Sequence, residues 1–291
     1  MAVLRRLRES DIDAVLAVYA EAWGDSRPIH ARDLRSWLRN PEVDPETLRV
    51  LEIDGRVVGY GDVTIADGVV AVEVAAPDHW HTFLDWAEDT AREASASRVR
   101  VLSYAGNALA KAAAARGYFL WRSYYRMEIE FDSTPPGPPP TRAGIEVRRY
   151  RDADVDRLLD AMNEVFRNDP FFARLTPGQF RQRHLHDPGM DPELWVLAWH
   201  EAELVAFSLG FAEWHGNPDI GEVRSVGVRA PWRRRGIGEA VVRSTFRALH
   251  ARGLRRATLG VDASNETGAV RLYKRVGMRV VAQGDNWALD L

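Results

Sequence analysis

Three arginines and two glycines in the second half of the chain could together bind a phosphate group. They form the run Arg-Arg-Arg-Gly-Ile-Gly at residues 233–238. The first backbone N–H groups of a helix are unpaired, and the helix dipole adds partial positive charge at the same end. Glycines at a helix start let an anion approach that backbone closely. The run therefore predicts a cradle for a phosphate or pyrophosphate.

The flanking residues predict the strand and the helix that would hold this cradle. Residues 223–228 alternate in the manner of a strand, Pro231 ends that pattern, and the chain reads as helical from Glu239. We expect a strand at 220–228 and a helix at 236–252. The cradle would lie at the joint between them.

Composition limits the classes of protein to which the chain can belong. With 291 residues and 46% hydrophobic content, it can form two ordinary domains with their own cores. The absence of cysteine excludes disulfides, thiolate metal sites and a cysteine nucleophile. The net charge is −3, and neither half is strongly basic, so we expect no nucleic-acid partner. There is no apolar run of membrane-spanning length and no signal-peptide core near the basic N-terminus, so we expect a cytoplasmic protein without a membrane partner.

A proline-rich stretch at residues 132–143 divides the chain almost in half. Its prolines disfavour helices and strand ladders and favour an extended spacer. We therefore predict domains at 1–131 and 144–291.

The two halves show an internal repeat. Residues 5–16 resemble 148–159, and the predicted hairpin at 51–59 matches that at 197–206. Residues 116–119 likewise parallel 276–279. Two copies of one domain account for these matches.

Each copy predicts the same order of elements. A short strand and two helices precede an antiparallel meander, which is followed by a strand-helix-strand crossover and further strand. This order indicates the α/β (α+β) class, with a mixed, mainly antiparallel sheet flanked by helices in each copy. In the second copy we expect helices at 152–166, 176–184 and 266–275, and separate last strands at 278–283 and 286–290.

Residues beyond the cradle add a second motif. Asn265 follows a predicted strand, Tyr273 lies eight residues further on, and Gly277-Met278 comes after it. Joined to Arg233-x-x-Gly-x-Gly, this pattern resembles the GNAT superfamily of acyl-CoA-dependent N-acyltransferases across residues 144–291. The resemblance implies two tandem GNAT-like domains.

The resemblance also implies roles for particular residues. The coenzyme pyrophosphate would bind the loop, and the pantetheine arm would pair with the backbone of the preceding strand. Asn265 would contact the arm, and Tyr273 would face the thioester sulfur from the same face of the helix. The residues implied in coenzyme binding are Val226, Val228, Arg233, Arg234, Arg235, Gly236, Ile237, Gly238 and Asn265.

Acyl transfer to an amine needs a base, an acid and a donor to the oxyanion. A phenol is protonated at neutral pH, so Tyr273 is a candidate acid, although a tyrosine at this position could also be a core residue. Glu222 is the candidate base, acting through a water, with Glu213 and Asp219 as substitutes. A carboxylate at Glu222 could equally be a solvated strand end or bind the ammonium group of the substrate.

The first copy lacks this pattern. Its corresponding joint, residues 74–85, has no glycine pair and no arginine, and Asp78 and Asp85 would repel a pyrophosphate. Asn107 retains the asparagine, but the tyrosine position becomes Ala115 or Ala113, depending on the alignment. We expect a degenerate copy without its own acyl-CoA, which either completes the acceptor pocket or stabilises the other half.

Histidines and aromatic residues give weaker signals. His79 and His81, and likewise His184 and His186, have a spacing used by metal ligands on strands, but both segments read as helical and lack a third ligand. We therefore expect no metal. Four aromatic residues lie near loops that line the acceptor pocket in similar proteins, although core packing is also open to them: Phe166, Phe171, Phe172 and Trp214.

The sequence thus predicts an acetyl-CoA-dependent N-acetyltransferase acting on a primary amine of a small molecule or peptide. The tandem plan resembles the mycothiol synthase type, which implies a cysteinyl pseudodisaccharide as an alternative acceptor. A non-catalytic acyl-CoA sensor is the alternative from another class. Fold alone does not name the acceptor.

Overall fold

The computed structural model describes all residues except 25–28, 41–42, 132–135, 141, 170–171, 187–189, 216 and 266. Part of the predicted linker, 132–135 and 141, lies outside the described residues. Contacts divide the chain into two compact units. The first unit comprises Met1–Tyr125, Asp262–Ser264 and Ala282–Leu291, and the second comprises Arg126–Val261 and Asn265–Val281.

The first unit is a mixed sheet with helices on both faces. Strands β1 to β5 are adjacent in chain order, and only β4 and β5 run parallel. Helices α3 and α4 supply one apolar core, and α1 and α2 supply the other. The elements are β1 (Ala2–Arg6), α1 (Ile12–Trp23), α2 (Ala31–Arg39), β2 (Leu48–Ile53), β3 (Arg56–Ala66), β4 (Val69–Ala75), α3 (Trp80–Glu93), β5 (Arg98–Tyr104), α4 (Ala108–Ala115) and β6 (Phe119–Glu130).

The second unit repeats this arrangement. Strands β7 to β11 are adjacent in chain order, and β10 and β11 form the parallel pair. The elements are β7 (Glu146–Arg149), α5 (Val155–Val165), α6 (Pro177–Phe180), β8 (Trp195–His200), β9 (Glu203–Phe211), β10 (Ile220–Val228), α7 (Ile237–Ala251), β11 (Arg256–Asp262), α8 (Ala269–Arg275) and β12 (Arg279–Asp290). The predicted fold class is confirmed.

Both copies begin with the same ion pair. Arg5 donates from Nη1 and Nη2 to the Asp11 carboxylate at 2.7 and 2.9 Å, and Arg148 donates to Asp154 at 2.7 and 2.8 Å. Each aspartate also accepts the backbone N–H of the residue three positions earlier, at 2.8 Å. The repeat in the sequence is therefore also a repeat in side-chain contacts.

The compact units differ at their ends from the halves drawn at the proline-rich stretch. Residues 284–290 of β12 pair antiparallel with β5 and belong to the first unit. Conversely, β6 belongs to the second unit from Arg126 onward, where the Thr258 hydroxyl of β11 donates to the Met127 carbonyl at 3.1 Å. Each unit thus contains a strand segment from the other half of the chain.

Three predicted elements differ in extent from the structure. The two predicted last strands are one strand, β12. The helix predicted at 176–184 is a single turn, α6, followed by a π-helix at Arg181–Leu185. The helix predicted at 266–275 begins only at Ala269, because Gly268 precedes it with φ +86°. None of the helices in the described ranges has both the length and the apolar character needed to cross a lipid bilayer.

Candidate active site

The end of β10 presents an open backbone edge. Parallel pairing with β11 covers only Ile220 to Glu222, although β11 continues to Asp262. On its other edge, β10 pairs with β9 and has a bulge at Arg224. Arg229 donates its N–H to the Val205 carbonyl of β9 at 3.0 Å. Because strand residues direct their backbone groups to alternate edges, those of Val226 and Val228 face away from β9.

The loop after β10 is shaped by two left-handed residues. Arg234 has φ +63° and Gly236 has φ +75°, and Gly236 is the N-cap of α7. Successive N–H groups in such a turn form a concave site for an anion, and the helix dipole adds to it. The structure therefore places the predicted run at a strand-to-helix joint that favours a negatively charged ligand.

Gly238 allows three elements to meet behind this loop. A Cβ atom on Gly238 would lie 3.2 Å from Leu272 of α8 and 3.3 Å from Val228 of β10. The glycine therefore lets α7 start in close contact with the strand and with α8. Ile237, beside it, is buried with Val241 in the core beneath the loop.

The arginines of the loop are oriented by oxygen atoms and a ring. Arg233 donates from Nε to the Val228 carbonyl at 3.0 Å, and the Arg235 guanidinium lies 4.8 Å from the Trp232 ring centroid. Arg142 also donates from Nε to the Arg235 carbonyl at 2.8 Å. Sequence analysis missed Arg142, because nothing in its own segment marks a residue that contacts the loop 93 positions later.

Tyr273 is a buried residue of α8. It is 6% exposed, and no group in the described part of the chain hydrogen-bonds with its hydroxyl. Burial raises the pKa of Tyr273 well above the usual range, so the phenol stays protonated at neutral pH. The neighbouring Leu272 brings α8 to Gly238 and the loop.

Asn265 lies outside the helix that carries Tyr273. Its Oδ1 accepts the N–H of Thr267 at 3.0 Å and that of Ala269 at 3.3 Å, so this oxygen caps the turn into α8. The prediction that Asn265 and Tyr273 share one helix face is wrong, because α8 begins after Asn265. With its oxygen used in this way, Asn265 offers its amide NH₂ group to a ligand.

Glu222 lies where β10 and β11 stop pairing. Its side chain is 21% exposed and accepts a hydrogen bond from Nε of Arg224 at 3.1 Å. The Arg224 guanidinium lies 3.5 Å from the Phe211 ring centroid, opposite Glu222 on β9. An amine that approaches Glu222 would compete with Arg224 for the Glu222 carboxylate. The substitute Asp219 lies in the turn before β10, where Asn217 accepts its N–H at 2.9 Å, and Glu213 precedes that turn.

Phe166 and Phe172, two of the four predicted aromatic residues, pack in the core that α5 forms with the sheet. Phe166 lies 5.3 Å from Phe172 and 6.0 Å from Phe207, measured between ring centroids. Trp214 is buried, with the Arg126 guanidinium 4.7 Å from its ring. Phe171 lies outside the described residues.

The histidine pairs show no metal cluster. His79 is the N-cap of α3, and the His184 ring lies tilted against that of Phe180 with ring centroids 4.9 Å apart. Within the residues that the structure describes, no three histidine, aspartate or glutamate side chains converge as metal ligands. The absence of a metal stays a prediction.

Comparison with known proteins assigns the chain to a family. Residues 156–278 match the acetyltransferase (GNAT) family model. The mycothiol acetyltransferase of Streptomyces scabiei is 32% identical over 276 residues, which cover 91% of this chain and 87% of that protein. The chain belongs to the GNAT acetyltransferases.

Solved structures extend the likeness to both units of this acetyltransferase. A GCN5-related N-acetyltransferase from Sphaerobacter thermophilus superposes with a TM-score of 0.82 at 27% identity, covering 99% of this chain and 95% of that one. A tandem GNAT protein of the clavulanic acid biosynthesis pathway shares the fold, with a TM-score of 0.74 at 16% identity over 100% of this chain and 98% of its own. The predicted superfamily, the tandem plan and the enzyme class, an N-acetyltransferase, are confirmed.

Proposed function

We propose that the second unit transfers an acetyl group from acetyl-CoA to a primary amine. The observation that carries the proposal is the joint between β10 and α7, which combines a left-handed loop with an unpaired strand edge. A coenzyme with a diphosphate and an amide-bearing arm needs these two features side by side. GNAT acetyltransferases use acetyl-CoA as co-substrate, and the residues of this joint fit it.

Each part of the joint matches one part of the co-substrate. The loop N–H groups and the arginines Arg233 to Arg235 would bind the diphosphate, because helix starts and guanidinium groups both favour phosphate. The outward backbone groups of Val226 and the N–H of Val228 would pair with the amides of the pantetheine arm, since the Val228 carbonyl already accepts a hydrogen bond from Arg233. The Asn265 NH₂ group would donate to the same arm. Acetyl-CoA supplies the activated acyl group, and the protein orients it.

The reaction requires two proton movements. The amine must lose a proton before its lone pair attacks the thioester carbonyl, and the C–S bond then breaks to release a thiolate. Glu222 would take the amine proton through a water, and Tyr273 would donate a proton to the sulfur. The raised pKa of Tyr273 suits an acid that must stay protonated until the thiolate forms.

For the acceptor, we propose a small molecule with a primary amine, of the cysteinyl pseudodisaccharide kind. Its support is the relatives named mycothiol acetyltransferase, including one from Streptomyces avermitilis that is 30% identical over 94% of this chain. The match spans both units. A peptide amine is the second candidate.

Two measurements test the proposal. Titration calorimetry with acetyl-CoA should give a stoichiometry near one per chain, because only the second unit has the loop. Coenzyme A release should then be followed with a panel containing a cysteinyl pseudodisaccharide, aminoglycosides and short peptides. Release with the first acceptor at the highest kcat/KM is expected. Binding without turnover of any amine would favour a non-catalytic sensor, and the absence of binding would overturn the assignment.

A further inference from the structure

The last part of β6 brings a glutamate next to β11 in the second unit. Phe131 donates its N–H to the Arg255 carbonyl at 2.7 Å, and the Thr258 hydroxyl donates to the Met127 carbonyl at 3.1 Å. Residue numbers therefore rise along β6 as they fall along β11, so the two strands are antiparallel. The bond from Phe131 sets a register in which Glu128 lies opposite Thr258.

Glu222 lies on the other side of Thr258. These two residues are the last pair before β10 diverges from β11. Residues directly opposite each other on neighbouring strands place their side chains on the same face of the sheet. Glu222, Thr258 and Glu128 therefore form a row across three strands, and a strand spacing of about 4.8 Å separates the two outer backbones by roughly 10 Å. The row lies on the face of Phe211, which pairs with Glu222 and packs in the core of α5.

The corresponding row of the first unit has different end residues. The third pair of the parallel ladder is Glu222 with Thr258 in the second unit and Ala71 with Arg100 in the first. Arg100 in turn pairs with Ala288 of β12. Both ends of the row are thus glutamates in the unit that has the loop and alanines in the unit that lacks it. The sheet itself does not require a carboxylate at either end.

Two arginines flank the Glu128 carboxylate. Its oxygens lie 3.7 Å from Nη1 of Arg126 and 3.9 Å from Nη1 of Arg256, and the side chain is 9% exposed. Both distances are longer than a hydrogen bond, so the arginines balance the charge of the carboxylate without using its lone pairs. A second cation would be repelled by the two guanidinium groups, whereas a neutral hydroxyl group would not.

We propose that Glu128 determines acceptor specificity, because its carboxylate accepts a hydrogen bond from a hydroxyl group of the amine acceptor. The amine of the same molecule lies near Glu222, at the other end of the row. Hydroxylated amines are therefore preferred over simple ones. This inference rests on the proposed function of the second unit, and it assigns a residue from the first half of the chain to the acceptor site.

Steady-state kinetics with two acceptors tests the inference. The cysteinyl pseudodisaccharide carries hydroxyl groups, and cysteinamide offers a cysteinyl amine without them. Glu128→Gln keeps the shape of the side chain and removes its charge. It should raise the KM for the pseudodisaccharide about tenfold with kcat nearly unchanged, the expected size of a hydrogen bond to a charged group that is kept throughout the reaction. The kinetics with cysteinamide and the KM for acetyl-CoA should not change.

Two further variants support the measurement. Glu130→Gln is the matched control, since Glu130 lies on the same strand and pairs with Arg279 at 2.6 Å, and both acceptors should be unaffected by it. Glu128→Asp keeps a carboxylate beside the arginines and withdraws it by one methylene. It should show the same selective rise in KM, so it decides the question if Glu128→Gln does not fold.

The outcomes separate this inference from the proposed function. An equal loss with both acceptors would make Glu128 structural or catalytic and would overturn the inference, as would an unchanged KM in both Glu128 variants. Equal kcat/KM of wild type for the two acceptors would also overturn it, while acetyl transfer to an amine would stand. Acetylation of neither acceptor by wild type would overturn the proposed acceptor itself.

Discussion

The joints between β4 and α3 and between β10 and α7 occupy equivalent places in the two repeats but have different lengths. Residues 76–79 connect the first pair, whereas residues 229–236 connect the second. The longer joint contains Arg234 and Gly236 in the left-handed region, and the N-cap of α3, His79, has φ −127°. The first copy therefore lacks the concave loop as a whole, because its chain passes directly from strand to helix.

The acidic residues of the first joint contribute less to its expected inability to bind a pyrophosphate than the sequence indicates. We expected Asp78 and Asp85 to repel a pyrophosphate, but the Asp85 carboxylate pairs with Arg116. The shortened joint is the stronger reason, since a missing loop removes the N–H donors regardless of charge.

The strand registers show which residue of the first copy corresponds to Glu222. Glu222 pairs with Phe211 and Thr258, and the corresponding residue of the first copy is Ala71, which pairs with Thr64 and Arg100. The register of β3 and β4 is continuous, so β4 has no counterpart of the bulge at Arg224.

Hydrogen bonds at the helix ends show which residue of the first copy corresponds to Tyr273. Met278 donates its N–H to the Tyr273 carbonyl, and Tyr118 donates to the Ala113 carbonyl in the same way. Tyr273 therefore corresponds to Ala113 and not to Ala115. The first copy shares the ion pair and the strand order with the second and has neither of the candidate catalytic side chains at the corresponding positions, so the shared scaffold does not require those side chains.

The largest effect is expected from Gly236→Ala. An alanine there would strain a loop residue that has φ +75° and would place a side chain on the loop to which the diphosphate should bind, so the Kd for acetyl-CoA should rise about a hundredfold, or about 2.7 kcal/mol. Gly253→Ala is the control, at the other end of α7, with φ +86° and nothing within 4 Å of its added Cβ. Both variants should lose about 1 kcal/mol of stability, and only the first should lose affinity. Equal affinities, measured by calorimetry, would place the diphosphate elsewhere.

Tyrosine substitutions should have opposite effects in the two copies. Tyr273→Phe should lower kcat at least tenfold with little change in melting temperature, because its hydroxyl has no hydrogen bond among the described residues. Tyr118→Phe removes a hydrogen bond of 3.2 Å to Glu88, so it should cost about 1 kcal/mol of stability and leave kcat unchanged. Because burial raises the pKa of Tyr273, the tyrosine-dependent part of kcat should stay constant from pH 7 to about pH 10. A normal kcat for Tyr273→Phe would remove it as the acid.

Glu222→Gln tests the base. If Glu222 takes the amine proton, kcat/KM should fall about tenfold at pH 7, and the deficit should shrink at higher pH, where the free amine is already deprotonated. Ala71→Glu in the first unit is the matched control and should not add activity. A deficit that is the same at every pH would indicate that Glu222 binds the substrate ammonium instead.

The Arg5–Asp11 and Arg148–Asp154 ion pairs should contribute equally to stability in the two copies. For Asp11, hydrogen bonds from Arg5 lower the pKa; for Asp154, burial opposes the hydrogen bonds from Arg148 and Arg151, which outweigh it and lower the pKa. Carboxylates with lowered pKa stabilise the folded state above the unfolded pKa of about 4, and this contribution is lost as the pH falls below that value. Asp11→Asn and Asp154→Asn should each cost about 1.5–3 kcal/mol at pH 7, measured by urea unfolding. The deficit of each variant should shrink toward pH 3, and a deficit in one copy only would contradict the equivalence.

The sequence predicts the joint well because its signals are local. Two glycines, a proline and a strand alternation all lie between residues 223 and 238, so spacing alone indicates a strand, a turn and a helix start. The start of α8 was harder to predict, because Asn265 and Gly268 form a turn that delays the helix beyond the apolar pattern. Asn107 caps α4 directly, with its Oδ1 accepting the Ala110 N–H at 2.8 Å. An asparagine therefore starts the helix at once in the first copy and precedes a turn in the second.

Long-range contacts were beyond the sequence pattern. The bulge at Arg224 depends on the register with β9, and the contact of Arg142 with Arg235 depends on the path of a segment whose composition indicates only a spacer. The exchange of strand segments between the halves also could not be predicted, because it depends on pairing between residues that are far apart in the chain. A proline-rich boundary predicts where a chain is extended, and it carries no information about which sheet the neighbouring strands join.

The exchanged segments of β6 and β12 bear on how the protein can be divided. A protease that cleaves the proline-rich segment would produce two polypeptides, each carrying a strand that completes the other's compact unit. Such polypeptides should copurify after cleavage and, when expressed from separate genes, should regain activity only on mixing. Each half of the protein therefore depends on the other for its fold, since loss of either half would leave the remaining sheet without a strand.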